Sequence, residues 1–456
     1  MIAQFAKKLY ENFTNATAFT PKEDINREKH NVYFEIININ PNIYLAHRGA
    51  RICVGLGPVD GGLRDQSLHV AKVLARQHES IMEHTNLVAI LHIPEKEIDY
   101  RVESYTEFLS SLKYCNYIPK KTNNGEILIL LGGSIRGYIH SVRECKKGNY
   151  FIDYLMKPLM QSSIEKEFLK QLIELGIFNE DECNYITDAV KEDNIDDSED
   201  CERTEVYEPE EKQGKRVDLV YKAPLYYNND TLIKYFTLLD IYQVSTITFI
   251  VHDVSRACSN QITRHRIGIS QESQRYVSRP YDSDDFVNAI KLSMEDNQQY
   301  NCENPNVNEI MGNINELFDN YKILCNNRIY KEDARYWLPM GVTTKLMVTF
   351  TYETLAKFFK LRLDKTAQKE IRLVAKEMSK WLDLNKDDLD EFIELNNDYR
   401  CNIVDDKDPL FIIDDSVIDE ELKDKEQTAI ITKFNINNAE DAERLLKESD
   451  KLNGME

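Results

Sequence analysis

The feature that most constrains what this chain can fold into is an internal repetition. Two short apolar runs of strand length, Leu87–Ile93 and Ile127–Leu131, follow an amphipathic segment at Leu68–Ala75. They precede a helical spacing of Ile164, Phe168, Leu172 and Ile173 that Gly176 closes. The same order returns with Ser245–His252, Lys345–Thr351 and a helical face of Ile371, Val374, Met378 and Trp381 or Leu382. Short apolar runs suit buried strands, whereas apolar residues three and four apart suit one face of a helix. The economical reading is an α+β protein built from two copies of one unit, each an antiparallel sheet packed with helices. Between the copies, Asn179–Lys212 is dominated by Asp and Glu with few apolar anchors, the composition of a solvated acidic linker. The expected division is therefore 1–178, a linker at 179–212, a second copy at 213–385 and an acidic tail at 386–456.

The 456 residues suffice for more than one core, and a 42% apolar content fits a folded globular chain. A formal net charge of −21 opposes attraction to nucleic acid or an anionic membrane surface. The apolar runs are too short to span a bilayer, and the opening MIAQFAKKLYENFTNATAF lacks the apolar centre of a secretion signal. Nine cysteines without a C-x-x-C pair read as reduced thiols in a cytoplasmic protein, with no zinc site and no disulfide framework. Against this acidic background, RHRIGISQESQRYVSRP at Arg264–Pro280 concentrates four arginines in one loop-like segment. Such a loop alone fits a solvated, ion-paired surface; in an acidic chain it also fits a local site for a small anion.

The wider context favours the site. VSRACSNQITRHR (Val254–Arg266) followed by SQRY (Ser273–Tyr276) resembles the signature of the flavin-dependent thymidylate synthases, the ThyX family. EDARYWLP (Glu332–Pro339), FFKLRL (Phe358–Leu363), HESIMEH (His78–His84) and ARIC (Ala50–Cys53) resemble further segments of the same family. The resemblance implies reductive methylation of dUMP to dTMP, with FAD as cofactor and NADPH and 5,10-methylenetetrahydrofolate as co-substrates. It implies a nucleotide site of Gln261, Arg264, Gln271, Ser273, Arg275, Arg335 and Arg362, since the planar guanidinium fork matches phosphate oxygens. Arg362 is expected to stabilise charge developing on the pyrimidine, with Ser273 beside it. The implied flavin contacts are His78, Ser80, Glu83, His84, Arg136, His140, His265 and Arg266. No metal is expected, because His78 and His84 lack the H-x-x-x-H spacing of a zinc helix.

The sequence departs from the family pattern in two ways. Six residues, Ile267–Glu272, separate R-H-R from Ser273, where the family usually has seven. In the second copy, Thr351, Glu353 and Lys357 occupy positions where the family carries Asn, Arg and His or Asn. The first copy instead offers Ser134, Arg136 and His140 there, but it lacks an R-H-R loop and has Cys145 where the second has Arg362. The copies are complementary: the first keeps flavin contacts and the second keeps nucleotide contacts. A homodimer forming a pseudo-tetramer would then carry two working sites. The alternatives are a related one-carbon transfer such as hydroxymethylation, or a non-catalytic nucleotide-binding homologue.

Overall fold

A computed structural model of the protein describes residues 32–39, 42–57, 63–74, 78–122, 125–145, 149–151, 217–223, 229–265, 268–277 and 305–398. The helix expected at Ile164–Gly176 and the acidic tract at Asn179–Lys212 lie outside them. The first half contains β1 (Tyr33–Ile39), α1 (Asn42–Cys53), α2 (Leu63–Leu74), a 3-10 turn (Glu79–His84), β2 (Leu87–Pro94), α3 (Glu95–Tyr100), α4 (Val102–Ser111), β3 (Asn116–Lys121), β4 (Glu126–Gly133) and α5 (Ile135–Glu144). The second half begins with β5 (Val217–Lys222), α6 (Asp230–Tyr235), α7 (Leu238–Val244), β6 (Thr246–Ser255), α8 (Arg256–Ile262) and β7 (Gly268–Gln271). It continues with α9 (Pro305–Asn326), α10 (Lys331–Ala334), a 3-10 turn (Arg335–Trp337), β8 (Thr343–Thr351), α11 (Tyr352–Arg362), α12 (Lys369–Lys380) and α13 (Lys386–Asp398).

Each half forms a four-stranded antiparallel sheet, and the two orders are equivalent: β1-β2-β4-β3 and β5-β6-β8-β7. Finer details repeat. The first strand of each sheet is bulged, between Ile36 and Asn38 and between Leu219 and Tyr221. The helix after the third strand is capped in the same way, Ser134 Oγ accepting from the Gly137 amide and Thr351 Oγ1 from the Thr354 amide. These caps fix the correspondence between halves: Ser134 with Thr351, Arg136 with Glu353, His140 with Lys357 and Cys145 with Arg362.

The halves are not separable lobes, however. Leu45 and Ile52 on α1 are buried in the core cluster of the second half, which includes Ile250 and Met347 on one face of its sheet. Reciprocally, Leu232, Phe236, Ile241 and Val244 on and beside α6 and α7 pack against Ile37, Val88, Ile90, Leu128 and Leu130 of the first sheet. The first sheet is thus covered on both faces: Leu87, Ala89, Leu91 and Ile93 face its own helices, and Val88 and Ile90 face those of the second half. This explains why β2 reads as an unbroken apolar run rather than an alternating one. Six exchanged apolar side chains at ~1.5–3 kcal/mol each represent roughly 9–18 kcal/mol of burial, comparable to the whole net stability of a domain. The boundaries drawn from sequence at 1–178 and 213–385 therefore do not mark independent folding units. The tail also begins later than expected, because α13 buries Phe392 in the second core with Leu389 and Ile393 packed around it.

Polar contacts stitch the same interface. Asn38 Nδ2 donates to Tyr221 Oη at 2.7 Å, and these two residues stand at corresponding points of the two bulged strands. Asn86 Nδ2 and Asn116 Nδ2 donate to the carbonyls of Val244 and Gln243 at 3.0 and 2.7 Å. The closest approach is at Gly132 on β4, where a Cβ atom would lie 2.3 Å from Val244 Cβ. Gly132→Ala is accordingly expected to force the halves apart and cost about 1–3 kcal/mol. A lowered urea midpoint with an unchanged m-value is the outcome expected, and an unchanged midpoint would show that the contact is not tight.

Candidate active site at the junction of the halves

The 3-10 turn Glu79–His84 sits where the halves meet, packed on α1 and on β7. Gly268, the first residue of β7, makes this possible: a Cβ there would lie 2.6 Å from the Glu83 carbonyl oxygen. Because β7 follows directly from the Arg264–His265 turn, the arginine-rich loop of the second half is delivered to the HESIMEH segment of the first.

His84 closes the junction. It is fully buried, with Nδ1 at 2.9 Å from Thr349 Oγ1 and Nε2 at 2.9 Å from Ser270 Oγ. Thr349 Oγ1 is also 2.8 Å from Thr248 Oγ1, so a buried chain of hydroxyls runs along the second sheet and ends on the imidazole of the first half. Burial lowers the His84 pKa to about 3, so the ring is neutral at physiological pH. Both ring nitrogens are engaged and no ring surface is exposed. The structure thus places this residue, expected among the flavin contacts, as a fastener between halves.

The other expected flavin-side residues cluster around the turn. Arg136, on the first turn of α5, ion-pairs with Glu83 through Nη1 and lies 3.6 Å from Glu79 through Nε. His140 Nε2 lies 3.5 Å from the same Glu79 carboxylate, and its ring packs against Tyr114 at 5.1 Å with the two planes tilted by 45°. Glu83, Tyr114, Asn116, Arg136 and His140 from the first half, with Gln243, Thr246, Gly268, Thr349, Thr351 and Thr354 from the second, line a cavity of about 470 Å³. That volume is in the range of small-molecule sites. His78 and Ser80 are exposed at the start of the turn, and Arg266 lies outside the described residues.

The nucleotide-side residues form two groups. Arg362, at the end of α11, donates from Nε to His265 Nε2 at 3.2 Å. A guanidinium can only donate, so Nε2 is the acceptor and the imidazole proton sits on Nδ1. Burial and then the Arg362 charge lower the His265 pKa to about 4, and the ring packs edge-on against Phe358 at 5.0 Å. In the second group, Arg275 Nε donates to Glu332 Oε2 at 2.8 Å and Arg335 Nε donates to the Glu332 carbonyl at 3.1 Å. Arginines from two separate motifs thereby meet at one residue, which the sequence had shown only as the first letter of EDARYWLP. Ser273 is anchored to the first half by its amide, which donates to the Cys53 carbonyl at 3.0 Å, and its Oγ accepts from the Arg275 amide. Gln271 Nε2 donates to Ser259 Oγ at 2.9 Å and Gln261 pairs with Gln368, while Arg264 is exposed on the turn after α8.

The match to a known family falls on this second half. Residues 201–383 match the family model described as thymidylate synthase complementing protein. The flavin-dependent thymidylate synthase of Pyrococcus furiosus is 35% identical over 139 residues, covering 30% of this chain and 54% of that protein. That of Saccharolobus solfataricus is 33% identical over 138 residues, covering 30% and 50%. The chain thus spans about half the length of the curated relatives it matches. A solved structure of ThyX from Helicobacter pylori complexed with FAD and dUMP shares 20% identity over 34% of this chain and 75% of that one, with a TM-score of 0.26, a likeness too slight to bear on the chemistry.

The His84 fastener has a pH signature. The unfolded chain binds a proton near pH 6.5 that the folded state accepts only near pH 3, so this contribution is complete above pH 6.5 and is lost as pH falls toward 3. The loss is about 1.4 kcal/mol per pH unit for one such group. His84→Gln should be less stable at pH 7 and show a shallower decline between pH 6.5 and 5. Urea titrations of both proteins at the two pH values test this, and parallel declines would exclude His84 as the source.

Proposed function

We propose that this chain, whose second half matches a thymidylate synthase complementing protein model, is a flavin-dependent thymidylate synthase that catalyses reductive methylation of dUMP at a site shared between its two halves. The observation that carries the reading is the packing of the Glu79–His84 turn on β7 through Gly268, which brings the flavin-side segment of one half to the nucleotide-side loop of the other. FAD, NADPH and 5,10-methylenetetrahydrofolate are the cofactor and co-substrates that the reading requires. When bound, the flavin supplies the hydride that completes the methyl group.

The residues suit a flavin: the cavity has the volume for a ring system and presents Arg136 and His140 as donors above a polar wall of Thr349, Thr351 and Thr354. Glu79 and Glu83 hold these two side chains in place. Arg362 and His265 form a second pair on the second half, and in this reading Arg362 meets the pyrimidine carbonyls and stabilises negative charge developing on the ring. His265, locked neutral with its proton on Nδ1, presents one donor toward the flavin without adding charge. Arg264, Arg275 and Arg335 serve the nucleotide phosphate, with Gln261, Gln271 and Ser273 adding neutral hydrogen bonds. His78 and Ser80 complete the flavin side from the exposed edge of the turn.

One site per chain follows from the correspondence of the halves. Where the first half has Arg136 and His140, the second has Glu353 and Lys357, which pair with each other. Where the second has Arg362, the first has buried Cys145. The reciprocal pairing lacks the guanidinium groups of Arg136 and Arg362, and the cation it has at these positions, Lys357, is paired with Glu353. Two chains then assemble as a pseudo-tetramer with two sites.

Purified protein should show a flavin absorbance that NADPH bleaches under anaerobic conditions, and should convert dUMP to dTMP with methylenetetrahydrofolate. A charge-assisted hydrogen bond of about 1.5–3 kcal/mol implies that Arg136→Ala weakens FAD binding, and Arg264→Ala weakens dUMP binding, at least tenfold each. A colourless protein would point to the non-catalytic homologue, a hydroxymethylated product to the related transfer, and unchanged flavin affinity in Arg136→Ala would refute the shared site. Native mass should correspond to two chains carrying about one FAD each.

A further inference from the structure

A second cluster of cationic side chains lies between α1 and α2, away from the site above. His47 and His69 face each other with Nδ1 atoms 3.0 Å apart and rings edge-on at 4.8 Å. His47 is 8% exposed and its Nε2 atom is buried without a hydrogen-bond partner. Ser67 on α2 is also fully buried, and its Oγ is likewise unpartnered. The charges acting on the pair are all positive: Arg48 and Arg51 on His47, Arg51 and Lys72 on His69. Arg51 donates from Nε to the Gly57 carbonyl, a neutral partner that leaves its charge uncompensated. The cluster opens toward solvent along Arg51, His69 and Lys72.

A buried imidazole nitrogen without a partner, set beside the Arg51 guanidinium, is costly to leave unsatisfied, and an anion can meet it once the ring is protonated. With about 100° of turn per residue, Gly49 falls on the opposite face of α1 from His47 and Arg51, and that face contacts His84 and Ser270. The cluster is therefore separate from the proposed catalytic junction, and it does not depend on that reading.

We propose that His47, His69 and Arg51 form a binding site for a tetrahedral oxyanion, the phosphate of a small phosphorylated metabolite or free phosphate. An anion here converts the positive field from a penalty into an attraction, and the histidine pair takes up a proton as the anion enters. The ionisable groups on the elements packed about the pair are Arg48 and Arg51 on α1, Asp65 and Lys72 on α2, Glu79, Glu83 and His84 on the 3-10 turn and Lys345 on β8; β7 has none.

Calorimetry on the full chain at pH 6.5 tests this with three probes: inorganic phosphate, AMP and sulfate, which does not titrate in this range. Saturable binding weakened at least tenfold in His47→Gln/His69→Gln, weakened likewise in the half-buried and less disruptive Arg51→Gln, and retained in Arg264→Ala is expected. Sulfate titrated in buffers of different ionisation heat should report net proton uptake. Tighter binding of AMP than of phosphate would identify a phosphate ester as the occupant, and the reverse free phosphate. Binding lost in Arg264→Ala but kept in Arg51→Gln, sulfate binding without proton uptake, or no saturation by about 10 mM would each overturn the proposal.

Discussion

Everything in this molecule depends on the close approach of one short turn to one short strand. The Glu79–His84 turn reaches β7 only because Gly268 has no side chain, and it stays there because His84 meets two hydroxyls at 2.9 Å. A single glycine and a single imidazole thereby set the relative position of two halves whose sheets are otherwise built independently. The hydrogen bonds are modest in net value, but leaving the buried hydroxyls of Thr349 and Ser270 without their partner would cost more than the bonds contribute. The arrangement is therefore more specific than it is strong, and the apolar exchange of α1 against α6 and α7 supplies the bulk of the adhesion.

That exchange explains how two halves of one topology can differ at their two junctions. In a symmetric pair both junctions would be equivalent, and here the second is present in outline: α7 lies on β3 and β4 as the 3-10 turn lies on β7 and β8. Yet Val244 and Gly132 occupy the places of His84 and Thr349, so the second junction is closed by apolar contact where the first is closed by hydrogen bonds. Glu353 in place of Arg136 and Cys145 in place of Arg362 complete the difference. Joining the halves in one chain fixes which of them meet, so the residues that close one junction need not be repeated at the other.

The parts of this fold that were legible in the sequence are those buried on both faces. β2, β4, β6 and β8 are the central strands of their sheets; β2 and β4 carry near-continuous apolar runs, and β6 and β8 keep short apolar stretches, Phe249–Val251 and Leu346–Val348, each beside a threonine. The edge strands were not legible: β3 reads NYIPKK, with a proline and two lysines tolerated because only one side is paired, and β7 is four residues long. α1 was hidden for another reason, since it serves two cores and a cationic cluster on different faces and so has no single apolar stripe. α13 was read as tail because its acids outnumber its apolar residues, although Leu389, Phe392 and Ile393 keep helical spacing. At the site, the arginine-rich loop was visible by resemblance, whereas the pairing of His84 with Ser270 and Thr349 joins residues 186 and 265 positions apart and has no local signal.

Three histidines share one physical condition and differ in what surrounds them. His47, His84 and His265 are all held neutral chiefly by burial. For His84 the partners are neutral hydroxyls that satisfy both nitrogens, so nothing is left to do but hold the halves together. For His265 the partner is a guanidinium that fixes the tautomer and leaves one N–H directed elsewhere, the condition of a positioned donor. For His47 the partner is another imidazole in a field of arginines, which satisfies neither the remaining nitrogen nor the charge. Desolvation alone therefore does not mark a functional histidine; the unspent hydrogen-bonding capacity that remains after burial does, and by that measure His265 and His47 are set apart from His84.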